Sequence, residues 1–136
     1  MNKKELALKR RKVWYSYHIP GMGNLDRLKM NVVFLSAANS WEHEMKKCEI
    51  CYNLLKEGKK FLTEAELNKK VDGKKVRRDV VCLDDGGDVG YVYEIETTPE
   101  RAVRFLGQDV EIVPVGWEFN DAKWIELKEK VMYGKA

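Results

Sequence analysis

The sequence lacks any long apolar run. The apolar stretch at residues 31–38 is well short of the about 18 residues that a membrane-spanning helix needs. The same stretch is too short to supply both the core and the cleavage site of a signal peptide. We therefore predict a protein that has no membrane partner and works in the cytoplasm.

Cysteine and glutamine are also scarce. Cys48, Cys51 and Cys82 make an odd number in a chain large enough to need no covalent staples, which argues against a disulfide scaffold. Cys48 and Cys51 have the CxxC spacing, but without a second pair they indicate buried thiols rather than a zinc site. Gln108 is the only glutamine while Lys and Glu are abundant, a pattern that favours a thermophilic source. So compact a chain also suits a virus or a mobile element.

What the chain does contain is a core-forming composition with unevenly distributed charge. Its 136 residues are 44% hydrophobic and 35% charged, which predicts one folded domain over residues 1–136 rather than a disordered chain. The formal net charge is +3, and the excess basicity lies near the start, so residues 1–39 are predicted to form a basic arm. Basic arms of this kind neutralise nucleic-acid phosphates, and aromatic residues beside them stack on unpaired bases. The candidates in the arm are Lys9, Arg10, Arg11, Lys12 and Trp14.

Hydrophobic periodicity outlines the first half of the remaining chain. Ser40 is a typical N-cap for a helix that runs to about Gly58, in which apolar residues recur every three or four positions. These apolar residues are Trp41, Met45, Cys48, Tyr52 and Leu55. Residues 25–38 suit a helix and a buried strand equally well. Residues 61–67 alternate like a strand with one side in water, and residues 68–75 form a charged loop.

The second half indicates strands and two further helices. Thr98 and Pro99 begin a short helix, and residues 110–115 form a strand that Pro114 assigns to a sheet edge. Residues 116–136 contain the C-terminal helix, in which Trp124 is a candidate contact for a homodimer. This order predicts an α/β fold with a mixed central β-sheet flanked by helices.

The most informative feature is a β-hairpin that carries three carboxylates. Apolar strands at residues 78–83 and 91–96 flank a turn centred on Gly86 and Gly87. In that register Asp79 lies opposite Glu94, and Glu96 follows on the same face. Facing residues are about 5 Å apart at Cβ, so like charges there destabilise a sheet unless something neutralises them. A divalent cation is one neutraliser. Pairing of Asp79 with Arg77 or Arg78 is the other.

This pattern resembles the PD-(D/E)xK nuclease superfamily, which includes many restriction enzymes, resolvases and repair nucleases. The family core runs helix, strand, strand, strand, helix, strand, and the resemblance covers residues 40–115. In it, Glu44 is the acidic residue of the first helix, Asp79 is the motif aspartate, and Glu94 to Glu96 form the (D/E)xK element. The resemblance implies a restriction-endonuclease-like αβββαβ core. Two positions depart from the family pattern, because Arg78 precedes Asp79 and Glu96 stands where the family has lysine.

The resemblance also implies a metal-dependent nuclease that hydrolyses DNA. Asp79 and Glu94 would hold Mg²⁺ or Mn²⁺, since hard oxygen ligands suit these ions. Glu96 would act on the attacking water, and Glu44 would assist. Basic residues around the hairpin, Lys74, Lys75, Arg77 and Arg78, would contact phosphates. Because Glu96 replaces the lysine, a nuclease-like protein that binds nucleic acid without cutting it is the alternative. An interaction protein without a nucleic-acid partner is the third possibility.

Overall fold

The computed structural model describes residues 2–5, 17–18, 30–84 and 89–134. Its elements in chain order are β1 (Tyr17–His18), α1 (Trp41–Lys56), β2 (Lys60–Leu67), β3 (Arg77–Leu83), β4 (Val89–Glu96), α2 (Pro99–Ala102), a 3-10 turn (Val103–Phe105), β5 (Glu111–Pro114) and α3 (Ala122–Tyr133). The five strands form one sheet in the order β1 to β5. Neighbouring strands are antiparallel except β5, which runs parallel to β4. The predicted α/β class with a mixed sheet is therefore confirmed.

The hairpin of β3 and β4 has the register that the sequence predicts. Val80 faces Tyr93, and Val81 faces Val92. One further step brings Asp79 opposite Glu94, and the amide of Ile95 donates to Asp79 Oδ2 at 2.7 Å. The ladder shifts only at its far end, between Cys82 and Leu83. The pattern of apolar residues thus predicted the pairing correctly, while turn residues 85–88 lie outside the described residues.

The helix α1 begins as predicted, but its buried face is not the predicted row of apolar residues. The Ser40 hydroxyl accepts a hydrogen bond from the His43 amide at 3.2 Å, which confirms the N-cap. The buried face instead consists of His43, Glu44, Lys47, Cys51 and Leu54. Three of these five side chains carry ionisable groups that pair with one another or with the sheet. Charge pairing by His43, Glu44 and Lys47 and apolar packing of Cys51 and Leu54 against the sheet therefore orient this helix together.

The described part of the segment before α1 forms neither the helix nor the buried strand that the sequence allowed. Residues 32–36 run over β2 without forming a strand. Thr63 takes the place of a strand partner, because its hydroxyl donates to the Val32 carbonyl at 2.8 Å and accepts from the Phe34 amide at 2.9 Å. The expectation that one side of β2 faces water is also wrong, since this segment and α1 cover that side. Residues 25–29 lie outside the described residues.

Apolar clusters pack on both sides of the sheet. One contains Leu62, Val81 and Val92, and the other joins α1 to Phe61 and Val80. A third cluster holds α3 against the end of the sheet through Trp117 and Trp124. Trp124 is 4% exposed, and its ring centre lies 5.2 Å from that of Trp117. Trp124 is therefore not available as a dimer contact, because its ring fills the core, while the homodimer itself stays a prediction.

The predicted start of α2 and the predicted edge position of β5 are confirmed. Thr98 caps α2 by accepting from the Arg101 amide at 3.4 Å, and Pro99 occupies the first turn. The strand β5, which contains Pro114, is the last strand of the sheet. In the part of the chain that the structure describes, no helix has both the length and the apolar character needed to cross a membrane.

A left-handed residue interrupts β2. Glu64 has φ +52° in the middle of the strand, where any side chain other than glycine is strained. The ladder with β3 passes from Thr63–Val80 to Ala65–Arg78 without pairing Glu64. The kink turns the Glu64 carboxylate toward the fully buried Lys47, whose Nζ lies 2.5 Å from Glu64 Oε1 and 2.8 Å from Glu44 Oε2. This buried ion triad links α1 to the centre of the sheet.

Replacing Lys47 by Met should lower the free energy of unfolding by about 3 kcal/mol, because Glu44 and Glu64 would lose the fully buried cation that lies between them. Urea denaturation at neutral pH measures the change. Lys46→Met is the matched control, since Lys46 is partly exposed and pairs with exposed Glu49 at 3.3 Å. The control should change stability by about 0.5 kcal/mol or less. Equal losses in both variants would contradict a stabilising role for the buried triad.

Candidate functional site

The three hairpin carboxylates line one cavity at the end of β3 and β4. The cavity has a volume of about 400 Å³ and is open on one side. Asp79, Glu94 and Glu96 form one wall. The remaining lining residues come from the start of α1, from the segment around α2 and from β3 and β4, and they include Asn39, Ser40, His43, Arg77, Thr98, Arg101 and Arg104. Acidic and basic side chains therefore face the same space.

Glu94 is the most deeply buried of the three carboxylates. Its residue is 3% exposed, and its Oε1 is a buried oxygen without a hydrogen-bond partner among the described residues. Arg78 Nη1 lies 3.5 Å from Oε1, which is within ion-pair distance but without hydrogen-bond geometry. Burial, and then the charge of Asp79, raise the pKa of Glu94 to about 8. Glu94 is thus a buried carboxyl group that keeps its proton at neutral pH when no cation is bound.

Asp79 is held by two partners. Its Oδ2 accepts from the Ile95 amide at 2.7 Å and lies 3.3 Å from His43 Nε2. The other ring nitrogen of His43 lies 2.8 Å from Glu44 Oε1. Burial lowers the pKa of His43, but Asp79 and Glu44 outweigh burial and raise it to about 8. At neutral pH the imidazolium therefore bridges the two carboxylates.

The structure puts Glu44 behind His43 rather than in the cavity wall. All its acceptor positions face donors, because Oε2 accepts from Lys47 Nζ and the Ser36 amide, each at 2.8 Å. Asn39 Nδ2 donates to Oε1 at 3.0 Å. Burial raises the pKa of Glu44, but Lys47 and these other donors outweigh it and lower the pKa to about 2. Any influence of Glu44 on the cavity passes through His43, so direct participation stays a prediction.

Glu96 occupies the position of the family lysine and faces a cation. Its Oε1 lies 3.4 Å from Arg104 Nη2, while its backbone carbonyl accepts from Trp117 Nε1 at 2.8 Å. Burial raises the pKa of Glu96, and the nearby Arg104 partly offsets this effect. A carboxylate with a raised pKa is a stronger proton acceptor than an exposed one.

The basic residues predicted to bind nucleic acid are divided between several places. Arg77 lines the cavity with half its side chain exposed. Arg78 is mostly buried and turned toward Glu94 and Gln108. Lys74 and Lys75 are exposed on the loop between β2 and β3, away from the cavity lining. Lys9, Arg10, Arg11, Lys12 and Trp14 lie outside the described residues.

Sequence reasoning missed three ionisable residues of this cavity, namely His43, Arg101 and Arg104. His43 had a usable signal, because it adjoins Glu44 in the first turn of a capped helix. Arg101 and Arg104 follow the Thr98 cap and are three residues apart. This spacing puts both side chains on the same side of a helix. Nothing in the sequence connected either element to the hairpin, since those contacts form only in the folded sheet.

The acidic residues suit a cation that is shared with a substrate. Two carboxylates, Asp79 and Glu94, form a hard oxygen pair, and the orphaned Glu94 Oε1 is an oxygen that a cation would satisfy. Among the described residues, no cluster of three or more His, Cys, Asp or Glu is arranged to hold a metal ion. Mg²⁺ is usually bound by one or two carboxylates plus waters and substrate phosphates, so the Asp79–Glu94 pair meets that requirement.

No protein-family model, curated protein or solved structure matches the chain. The resemblance to the PD-(D/E)xK nucleases therefore stays a prediction that depends on the motif and on the geometry described above.

Glu94→Gln should stabilise the metal-free protein increasingly as the pH rises. The folded protein keeps a proton on Glu94 up to about pH 8, whereas the unfolded carboxyl loses it near its ordinary pKa of 4.5. Wild-type stability relative to Glu94→Gln therefore falls between about pH 5 and pH 8, by about 2–4 kcal/mol. Urea denaturation in EDTA at several pH values measures this difference. Glu111→Gln, which changes an exposed carboxyl on β5, is the control, and a pH-independent difference for Glu94→Gln would refute the expectation.

Proposed function

We propose that this protein is a metal-dependent nuclease that hydrolyses DNA phosphodiester bonds in the cavity between α1, the β3–β4 hairpin and α2. One observation carries the proposal. Glu94 is buried opposite Asp79 with an oxygen that has no hydrogen-bond partner in the described part of the chain, and three arginines line the same cavity. Two hard carboxylates beside exposed arginines suit a metal ion and a phosphate bound together, and the phosphate would compete with Glu64 for Arg77 and with Glu96 for Arg104.

The order of elements supports the same proposal. The segment from α1 to β5 runs helix, three strands, helix, strand, which is the order of the PD-(D/E)xK core. The hairpin of β3 and β4 carries the motif carboxylates, and β5 returns parallel to β4. The proposed restriction-endonuclease-like core therefore agrees with both the topology and the motif positions.

In this proposal each cavity residue has a separate task. Asp79 and Glu94 would hold Mg²⁺ or Mn²⁺, which supplies a more acidic water and neutralises phosphate charge. Arg77, Arg101 and Arg104 contact phosphate oxygens and orient the phosphodiester. Glu96 accepts a proton from the attacking water, in the position where related enzymes have lysine. His43 keeps the Asp79 carboxylate oriented through Nε2.

A second candidate function is nucleic-acid binding without cleavage. The observation that favours it is that each motif carboxylate already faces a cation of the protein. Asp79 faces His43, Glu94 faces Arg78 and Glu96 faces Arg104, at 3.3 to 3.5 Å. If these pairs persist when a substrate is bound, the cavity would hold a phosphate through its arginines alone.

Cleavage of DNA tests the first function. Labelled plasmid, linear duplex and single-stranded DNA should be cut in Mg²⁺ or Mn²⁺ and remain intact in EDTA. Asp79→Asn should abolish cutting, and Glu96→Gln should slow it by about 10²–10⁴-fold, because it removes the general base. Glu111→Gln, on an exposed position of β5, should cut like the wild type.

The assay separates the two candidates. If no DNA is cut but wild-type protein shifts DNA in a salt-dependent manner, the binding function replaces the nuclease. If DNA is cut equally well by folded Asp79→Asn protein, the active site lies elsewhere. Circular dichroism of each variant shows whether it has folded, so that a loss of activity is not confused with a loss of structure.

Metal binding is measurable without a substrate. Mn²⁺ should raise the melting temperature of wild-type protein at neutral pH. At an Mn²⁺ concentration one hundred times its dissociation constant, the free energy of unfolding should rise by about 2.7 kcal/mol. Asp79→Asn should lose this gain because it removes one of the two ligands. Glu111→Gln should retain it. Equal gains in Asp79→Asn and wild-type protein would mean that Mn²⁺ binds elsewhere.

A further inference from the structure

The helix α1 exposes an apolar stripe on the side away from the sheet. This α1 stripe consists of Trp41, Met45, Cys48, Tyr52 and Leu55. Four of its residues are 72%, 48%, 61% and 53% exposed in chain order, and Cys48 is partly buried. Solitary exposed apolar residues are ordinary, but a contiguous row of large ones marks an interaction surface. The stripe therefore needs a partner.

The spacing of the stripe matches a helix–helix contact. Its members follow one another at intervals of four, three, four and three residues, which is the 3.5-residue period of paired helices. A shallow groove of about 430 Å³ runs beside it, lined by Met45, Cys48, Tyr52 and Val115. A row of protruding side chains beside a groove provides both halves of a self-complementary contact.

The charges along α1 favour a second copy in antiparallel orientation. Glu42 lies near the start of the helix and Lys56 at its end, both exposed on the same border of the stripe. Antiparallel pairing brings Glu42 of one chain to Lys56 of the other and sets the two helix dipoles in opposite directions. Glu49 lies between them on the same border and approaches its own copy near the axis, where Lys46, 3.3 Å from Glu49, offsets its charge. The charges therefore favour antiparallel pairing with the α1 helix of a second copy.

We propose that the protein forms a symmetric homodimer through its α1 stripes, packed antiparallel about a two-fold axis near Cys48. The proposal does not depend on the proposed nuclease function. His43 and Lys47 lie on the opposite face of α1, toward the cavity and the sheet. Both cavities therefore remain open in the dimer. One helix of 16 residues is about 24 Å long, so the interface is small and the dimer dissociates on dilution.

The mass of the protein in solution tests this proposal. Sedimentation of wild-type protein over a concentration series should show the mass rising from 15.9 kDa to twice that value. Tyr52→Lys should stay at the monomer mass, because it puts a cation in the centre of the apolar contact. Tyr91→Lys is the matched control, since Tyr91 is 60% exposed on β4, and it should associate like the wild type. Circular dichroism should show that all three proteins are folded.

Cross-linking tests the position of the axis. A short bis-maleimide should join two wild-type chains through Cys48, while Cys51 and Cys82 are buried. Cys48→Ser should abolish the covalent dimer without changing the sedimenting mass. Wild-type protein that stays monomeric at every concentration would overturn the proposal and leave the stripe to another occupant, such as this chain's own N-terminal residues. A dimer that persists in Tyr52→Lys would overturn it as well, because another surface would then hold the chains together.

Discussion

The ammonium group of Lys47 lies fully buried between the carboxylates of Glu44 and Glu64, and much of the remaining structure follows from that placement. An unpaired charge at this depth would be very unfavourable, so both carboxylates must be held against it. Glu64 reaches it only by adopting a left-handed backbone in the middle of β2. Glu44 reaches it from the same helix and, through His43, is connected to Asp79. The ion triad thus joins the core of the fold to one wall of the cavity.

The cavity itself combines charges that do not cancel completely. Asp79, Glu94 and Glu96 each have a basic neighbour, yet Glu94 Oε1 has no hydrogen-bond partner among the residues that the structure describes. Structural ion pairs usually satisfy their buried oxygens, so this deficit is the main physical reason to regard the cavity as a binding site. The partly exposed Arg77 and Arg104 provide the opposite charge at its mouth. A metal ion together with an anionic substrate would complete both sets.

The two faces of α1 differ in polarity and in burial. Its polar face is buried because Lys47, Glu44 and His43 find charged partners there, and its apolar stripe is exposed because no sheet remains to cover it. Periodicity read from the sequence identified the helix and its stripe but not the direction in which the stripe points. A hydrophobic pattern reports where a side chain avoids water, and a second chain satisfies that preference as well as a core does.

Local rules were enough for much of the fold. The Ser40 and Thr98 caps, the edge position of Pro114 and the Asp79–Glu94 register depend on neighbours in sequence or on strict alternation, so the sequence by itself determined them. It also determined that three carboxylates share one hairpin. Only the tertiary structure decided that His43, Arg101 and Arg104 join them, that Glu44 acts from behind His43, and that Glu64 leaves the β conformation. The His43–Asp79 and Lys47–Glu64 pairs join residues far apart in the chain, and no local pattern encodes which distant partner a charged side chain will find.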